Sequence, residues 1–189
     1  EVMLGGLIED HRIDIRNIDL LSTRISEIQP DFVFHLAAQA LVGRAYNDPI
    51  GTYRTNVLGT INVLESLRDL SKQCVAVIVT SDKVYKNVEW AWGYRETDSL
   101  GGFDPYSGSK GAAELLIRAH LRSYFPREGN ILVGIGRAGN VIGGGDWAEG
   151  RVVPDLIRSI VTKTPINLRN PQSTRPWQHV LEPLSGYMW

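Results

Sequence analysis

Short apolar runs alternate along the chain with longer stretches in which apolar residues return every three or four positions, the signature of βα units on a parallel sheet. Asp31-Phe-Val-Phe-His-Leu-Ala-Ala38 predicts a buried strand that ends in small residues. Pro49 to Leu70 predicts a helix, because Val57, Ile61, Leu64 and Leu67 recur at helical spacing. Val75-Ala-Val-Ile-Val-Thr80 is almost continuously apolar, as strands of a parallel sheet require. Pro105 to about Tyr124 predicts a second long helix, with Leu115, Leu116 and Ala119 on its apolar side, and Ile131 to Ile135 the next strand. Gly143-Gly-Gly145 breaks the pattern, and Val152 to Val161 predicts a shorter helix. From Thr164 on the chain is loop-rich, with prolines at 165, 171, 176 and 183.

This order predicts an α/β fold: a Rossmann-like doubly wound parallel sheet in its strands near 32–36, 75–80 and 131–136, lying parallel and adjacent. A dinucleotide-binding fold opens with a strand, a glycine-rich turn and a helix. No G-x-G-x-x-G is present; Gly5-Gly6 precedes an acidic segment and lacks the spacing. The expectation is a truncated fold, with both chain ends cut and the opening unit missing. Residues 1–142 are expected to form a partial cofactor-binding domain, and 143–189 part of a smaller substrate-binding region.

Composition narrows the class. At 43% hydrophobic residues and a net charge of −1, the chain is neither a general nucleic-acid binder nor disordered. Its longest apolar runs are strand-sized, so no membrane span is expected. The single cysteine, Cys74, cannot form an internal disulfide and fits a reducing cytoplasm.

Candidate chemistry begins with Tyr106-Ser-Gly-Ser-Lys110. Positions i and i+4 share a helix face, so a phenol and an ammonium there can act on one ligand. A nearby cation favours the phenolate, which then takes a proton from a sugar hydroxyl near neutral pH. The pattern also arises often by chance. Thr80-Ser-Asp-Lys83 follows directly on an apolar strand, where ligands of open α/β sheets bind. Ser81 is placed to bond the same hydroxyl, and Asp82 and Lys83 add a proton donor and acceptor; a solvated polar exit from the strand is the competing account. His35 is read as structural. Asp14-Ile15 either meets an adenine ring or is an exposed loop. Arg137-Ala-Gly-Asn140 follows a strand and runs into the glycine-rich segment ending at Trp147, and Arg169, Arg175 and His179 cluster around Trp177. Arginine suits bidentate capture of phosphate, although a solvated basic loop is the commoner case.

Together, His35-Leu-Ala-Ala38, Thr55-Asn56 with Gly59-Thr60, Thr80 to Lys83, Tyr106 to Lys110 and Arg137-x-x-Asn140 resemble the extended short-chain dehydrogenases/reductases. Within these, Glu89 to Tyr94, Gly139 to Trp147 and Arg169 to Val180 are similar to 4,6-dehydratases of CDP-glucose. The resemblance covers essentially the whole chain and roughly half of such an enzyme, whose opening unit alone takes about 30 residues. It implies NAD as cofactor and a cycle without net redox change: oxidation at C4, loss of water across C5–C6, and hydride return to C6. Catalysis would fall to Ser81, Asp82, Lys83, Tyr106 and Lys110, with Asp82 the acid for water loss and Lys83 the C5 base. In relatives acting on dTDP-glucose, Asp-Glu stands where this chain has Asp82-Lys83; a lysine base must be neutral, far below its ordinary pKa of ~10.4. Asp14, Ile15, Leu36, Ala37, Ala38, Thr55, Tyr106 and Lys110 would touch the cofactor, and Ser81, Asn140, Arg151 and Arg175 the sugar or its phosphates. The preference for NAD over NADP comes from the resemblance alone, and no metal is implied. A homodimer through the helices near 50–70 and 106–124 is expected, in an enzyme of nucleotide-sugar and polysaccharide biosynthesis. The fragment itself is expected to be inactive. A 4,6-dehydratase or epimerase of another nucleotide sugar, and a non-catalytic nucleotide sensor, are the competing readings; retention of both Tyr106 and Lys110 weighs against the sensor.

Overall fold

The computed structural model describes residues 6–189, so Gly5 lies outside the described residues. Two compact units are present, Glu9–Ala138 and a second containing Gly139–Trp189.

The first unit is built on a three-stranded sheet. Strands β1 (Phe32–His35), β2 (Cys74–Val79) and β3 (Ile131–Gly136) lie in the order β1-β2-β3. Both pairings are parallel, with His35 opposite Ile78 and Ile78 opposite Ile135. Helices make the crossovers, as parallel strands demand. Helix α1 (Ile18–Ile28) precedes β1, and α2 (Val42–Asn47), α3 (Pro49–Tyr53) and α4 (Gly59–Arg68) lie between β1 and β2. Helix α5 (Pro105–Tyr124) joins β2 to β3.

Strand periodicity of two puts Cys74, Ala76 and Ile78 on one face of β2. That face meets Val63, Leu64 and Leu67 of α4 and Ile117 of α5, with Phe125 and Ile131 closing the core. Each fully buried Leu or Ile contributes on the order of 1.5–3 kcal/mol. On β1, expected from the sequence to be a buried strand, Phe32 and Phe34 are instead exposed and His35 alone is buried.

Three further expectations need correction. The helix expected without interruption from 49 to 70 contains a π turn at Arg54–Leu58. Such a turn inserts a residue into the helical register. Asn56 there is 2% exposed, with its side-chain oxygen and both amide hydrogens bonded. Helix α5 buries a different stripe from the one expected: Tyr106, Lys110, Ala113, Glu114 and Ile117 face inward, while Leu115 and Ala119 are exposed. Polar residues that find partners have taken the inner face. The tail is also less loop-like than its prolines suggested. Strand β4 (Asn140–Ile142) pairs in parallel with β5 (Trp177–His179), flanking α6 (Val152–Thr162) in sequence, and α7 (Leu181–Tyr187) follows. Pro183 is tolerated because it falls in the first turn of α7, where backbone N–H groups lack helical partners.

Candidate active site

The start of α5 is fixed locally. Asp104 caps it, accepting from the amides of Tyr106 at 2.9 Å and Ser107 at 3.0 Å, with Pro105 in the first turn. Gly102 is required beside it, since a Cβ there would lie 2.2 Å from that of Ser107. The helix then presents Tyr106, Lys110 and Glu114, four residues apart, on one buried stripe.

Lys110 is 7% exposed, and burial pulls its pKa from 10.5 to about 8. His35, at the end of β1, is pulled down to about 4, first by burial and then by the Lys110 charge. His35 is therefore neutral at pH 7. Its Nε2 lies 3.0 Å from the Thr60 hydroxyl, which itself donates to the Asn56 carbonyl at 2.8 Å. The hydroxyl proton being taken, Nε2–H is the donor to Thr60, and the histidine is structural as read from the sequence.

Asn56 ties the loop after β1 to α5. Its Oδ1 accepts from the Gln39 amide at 2.8 Å, and its Nδ2 donates to the Gln39 carbonyl at 3.0 Å and the Ser109 hydroxyl at 2.8 Å. Leu36 and Ala37 in that loop are exposed, Ala38 and Thr55 half-buried.

Beyond β2 the parallel ladder continues, Thr80 N–H donating to Gly136 O at 2.8 Å and Asp82 N–H to Ala138 O at 3.0 Å. A single 3-10 turn, Asp82–Val84, follows, with Ser81 as its cap. The Ser81 hydroxyl donates to Asp82 Oδ1 at 3.1 Å and accepts from the Lys83 amide at 3.2 Å. Lys83 Nζ stands 4.0 Å from Asp82 Oδ2, both side chains partly exposed. This turn packs on α5. A hydroxyl, a carboxyl and an amine thus leave the strand end together, against the helix that carries the phenol and the buried ammonium.

Asp14 is exposed and chelated by Arg16 at 2.5 to 3.0 Å. Those hydrogen bonds hold its carboxyl at about 2. Ile15 packs against the core and accepts at its carbonyl from Asn62 at 2.9 Å. The residues fit a dinucleotide in two respects: the loop after β1 offers only small side chains at Ala37 and Ala38, and α5 supplies a buried cation suited to a ribose hydroxyl.

In the second unit Asn140 sits half-buried on β4 opposite Trp177, and Gly139 lies under Pro176, where a Cβ would meet the ring at 2.7 Å. Arg151 pairs with Asp146 at 2.9 Å. Arg169 donates to Gly150 O at 2.8 Å and Arg175 to Thr174 O at 2.6 Å. All three arginines are exposed. His179 accepts from the Leu181 amide at 3.3 Å, a local cap. Among the described residues no cluster of side chains suits a metal.

Sequence reasoning missed Glu114. It is 0% exposed and is held by Arg118 at 2.7 Å and by Arg137 through Nε at 2.9 Å and through Nη2. Burial pushes its carboxyl up, and the two guanidiniums more than offset this, leaving it below its ordinary value. The available signal was an acid one turn beyond Lys110 on the same face. Arg137, prominent in the sequence, is this carboxylate's partner.

Comparison with known proteins places these observations. The chain matches the model of the family described as GDP-mannose 4,6 dehydratase over residues 4–189. It is 51% identical to a CDP-glucose 4,6-dehydratase of Salmonella typhimurium over 99% of this chain and 53% of that one. The chain therefore spans about half the length of the curated relatives it matches. A dTDP-glucose 4,6-dehydratase from Streptomyces venezuelae, solved with NAD, superimposes with a TM-score of 0.80 at 25% identity, over 93% of this chain and 52% of that one. A UDP-glucose 4-epimerase from Thermus thermophilus, also solved with NAD, gives 0.79 at 26% identity over 94% and 58%.

Proposed function

Because the chain belongs to the GDP-mannose 4,6-dehydratase family, we propose that the enzyme containing it converts CDP-glucose to CDP-4-keto-6-deoxyglucose and water. The observation that carries this reading is the Asp82-Lys83 pair at the end of β2, on a turn packed against the helix bearing Tyr106 and Lys110. An epimerase of this fold needs the tyrosine and lysine of α5 but has no use for a proton donor and acceptor at 82 and 83. The identity to a CDP-glucose 4,6-dehydratase supports the choice of sugar nucleotide.

In the proposed cycle Tyr106 takes the C4 hydroxyl proton while Ser81 bonds the same hydroxyl. Lys110 keeps positive charge beside the phenol and holds the cofactor ribose. Leu36, Ala37, Ala38 and Thr55, together with Asp14 and Ile15, would hold NAD, which would supply hydride acceptance from C4 and hydride return to C6. The 4-keto group acidifies C5–H. Lys83 removes that proton and Asp82 protonates the C6 hydroxyl, which leaves as water. Asn140, Arg151 and Arg175 hold the sugar and its diphosphate. The two units are accordingly assigned to cofactor and to substrate. A cytoplasmic setting fits the buried, unpaired Cys74.

Lys83→Met tests the division of labour. The variant should still oxidise CDP-glucose and stall with reduced cofactor and a 4-keto sugar, and solvent deuterium should no longer enter C5 of the product. General-base loss costs on the order of 100- to 10,000-fold, so the stall is readily seen as reduced-cofactor absorbance in a single turnover. Exchange of C5 hydrogen at the wild-type rate would remove the role given to Lys83.

Assembly is part of the proposal. Ile50, Leu58 and Leu115 are 66%, 54% and 58% exposed in the helical segments expected to pair. An isologous homodimer would cover them. Light scattering should give twice the chain mass of the purified enzyme; a monomer rejects this pairing.

A further inference from the structure

The proposed cycle leaves Glu114 without a task, although it is the most deeply buried charge on α5. Its contacts have a direction. Oε2 accepts from the Thr80 hydroxyl at 3.2 Å and from Arg137 Nε at 2.9 Å. Arg137 in turn donates through Nη1 to the Tyr85 hydroxyl at 2.6 Å, and its guanidinium lies 4.7 Å from the Tyr85 ring centroid. Thr80 is the residue before Ser81, and Tyr85 the residue after the 82–84 turn. One carboxylate therefore anchors the segment Ser81-Asp82-Lys83-Val84 at both ends. It does so from the helix that also carries Tyr106 and Lys110.

Stability alone is a poor reason for this arrangement. A buried ion pair gains little over apolar packing of the same volume, because desolvation offsets attraction. The Arg137 fork on this carboxylate, with one further bond from Arg118, does fix geometry, since each bond has a preferred direction. Between the anchors the turn holds itself only weakly: Lys83 N–H donates to Ser81 Oγ at 3.2 Å, Val84 N–H to Ser81 O at 3.3 Å and Tyr85 N–H to Asp82 O at 3.5 Å. From outside, the turn's backbone is tied at Asp82 N–H to Ala138 O, 3.0 Å, and at Val84 O from Gly101 N–H, 2.8 Å, so what the holds on Thr80 and Tyr85 add is the orientation of the turn about those two bonds.

We propose that Glu114 is a positioning residue that, through Thr80 on one side and Arg137 with Tyr85 on the other, sets the Ser81-Asp82-Lys83 turn against the Tyr106-Lys110 face of α5. This rests on the dehydratase reading only for the step it serves, which is the elimination assigned to Asp82 and Lys83. C4 oxidation, assigned to Tyr106 on the helix itself, depends less on the clamp.

The test removes the anchors and keeps the ion pair, so folding is preserved. Thr80→Val and Tyr85→Phe, singly and together, each delete one hydroxyl. In the NAD-bound enzyme, deuterium exchange should speed up in the peptide covering 81–86 and stay unchanged in the peptide covering 131–136. In single turnover with CDP-glucose, solvent deuterium entry at C5 should slow by about tenfold, the worth of one or two hydrogen bonds, while reduced cofactor, whose formation uses Ser81 but neither Asp82 nor Lys83, forms with a clearly smaller slowing. Thr80→Ser should restore both readouts. Unchanged exchange at 81–86 overturns the proposal. So does an equal fall in oxidation and elimination that tracks the melting temperature, because that marks a purely structural clamp. If the wild-type enzyme makes no 4-keto product from CDP-glucose, the dehydratase reading fails by itself; the exchange measurement, which needs no sugar, still decides whether the clamp positions the turn.

Discussion

The two units hold their functional charges in opposite ways. In Glu9–Ala138, Lys110 and Glu114 lie on the buried side of α5, less than a tenth exposed, and Glu114 is gripped from the ends of β2 and β3. In Gly139–Trp189, Arg151, Arg169 and Arg175 are exposed; Arg151 and Arg175 bond to neighbours in sequence, Asp146 and Thr174, and Arg169 bonds to Gly150 O before α6. A charge built into a core changes stability, in either direction, when it is altered. A charge on a loop is free to rearrange around a ligand at little cost. Stability and affinity should therefore separate between the two units.

The largest expected effect is at Glu114. Glu114→Ala leaves the guanidinium of Arg137 buried without its partner. Breaking such a pair costs about 3–5 kcal/mol. A urea titration should show it as a midpoint shift far larger than that of any substitution among the exposed arginines. A wild-type midpoint for Glu114→Ala would erase the contrast.

Next is Lys110, where pH supplies the lever. Its folded pKa is about 8 against an ordinary 10.5. Between those values the unfolded chain binds more protons than the folded one, so stability rises with pH across that window. Below pH 8 the full penalty of the buried ammonium is present, worth about 3 kcal/mol. Lys110→Met should therefore be more stable than wild type at pH 7 in the cofactor-free protein, with the advantage fading as pH climbs from 8 to 10.5. Its activity should be lost across the whole range. Parallel stability profiles for the two proteins would show that Lys110 is not a buried charge in solution.

The same contrast explains what the sequence made legible. Strands β1, β2 and β3 were visible as short apolar runs, but a continuous run does not say which side faces the core: on β2 that is Cys74, Ala76 and Ile78, and on β1 Phe32 and Phe34 are exposed. The Tyr106-Lys110 pair and the Ser81-Asp82-Lys83 turn were visible because spacing and strand ends constrain them. The inner face of α5 was misread at Leu115, since hydrophobicity ranks leucine above glutamate and says nothing of two arginines arriving from elsewhere. The π turn at Arg54–Leu58 was hidden for a related reason: the bonds that draw Asn56 inward come from Gln39 and Ser109, distant in sequence. Strand β5 was missed because a three-residue strand among prolines carries too little pattern.

The smallest expected effect on stability is at Arg175, and there affinity should move instead. Its guanidinium is exposed and donates to the carbonyl of the preceding residue, Thr174, a bond that water replaces readily. Arg175→Ala should therefore unfold within about 0.5 kcal/mol of wild type. If Arg175 grips the diphosphate of the sugar nucleotide, it makes charge-assisted hydrogen bonds worth about 1.5–3 kcal/mol, and KM should rise roughly ten- to a hundred-fold. The turnover number should hardly change, because the groups assigned to proton transfer lie at 81–83 and 106. Arg175→Lys sharpens the point: it restores the charge and not the two-pronged fork, so KM should recover only in part. A rise in KM for alanine that lysine fully reverses would leave a simple charge attraction at this position, and an unchanged KM in both would remove Arg175 from the substrate site while leaving the buried clamp of the first unit untouched.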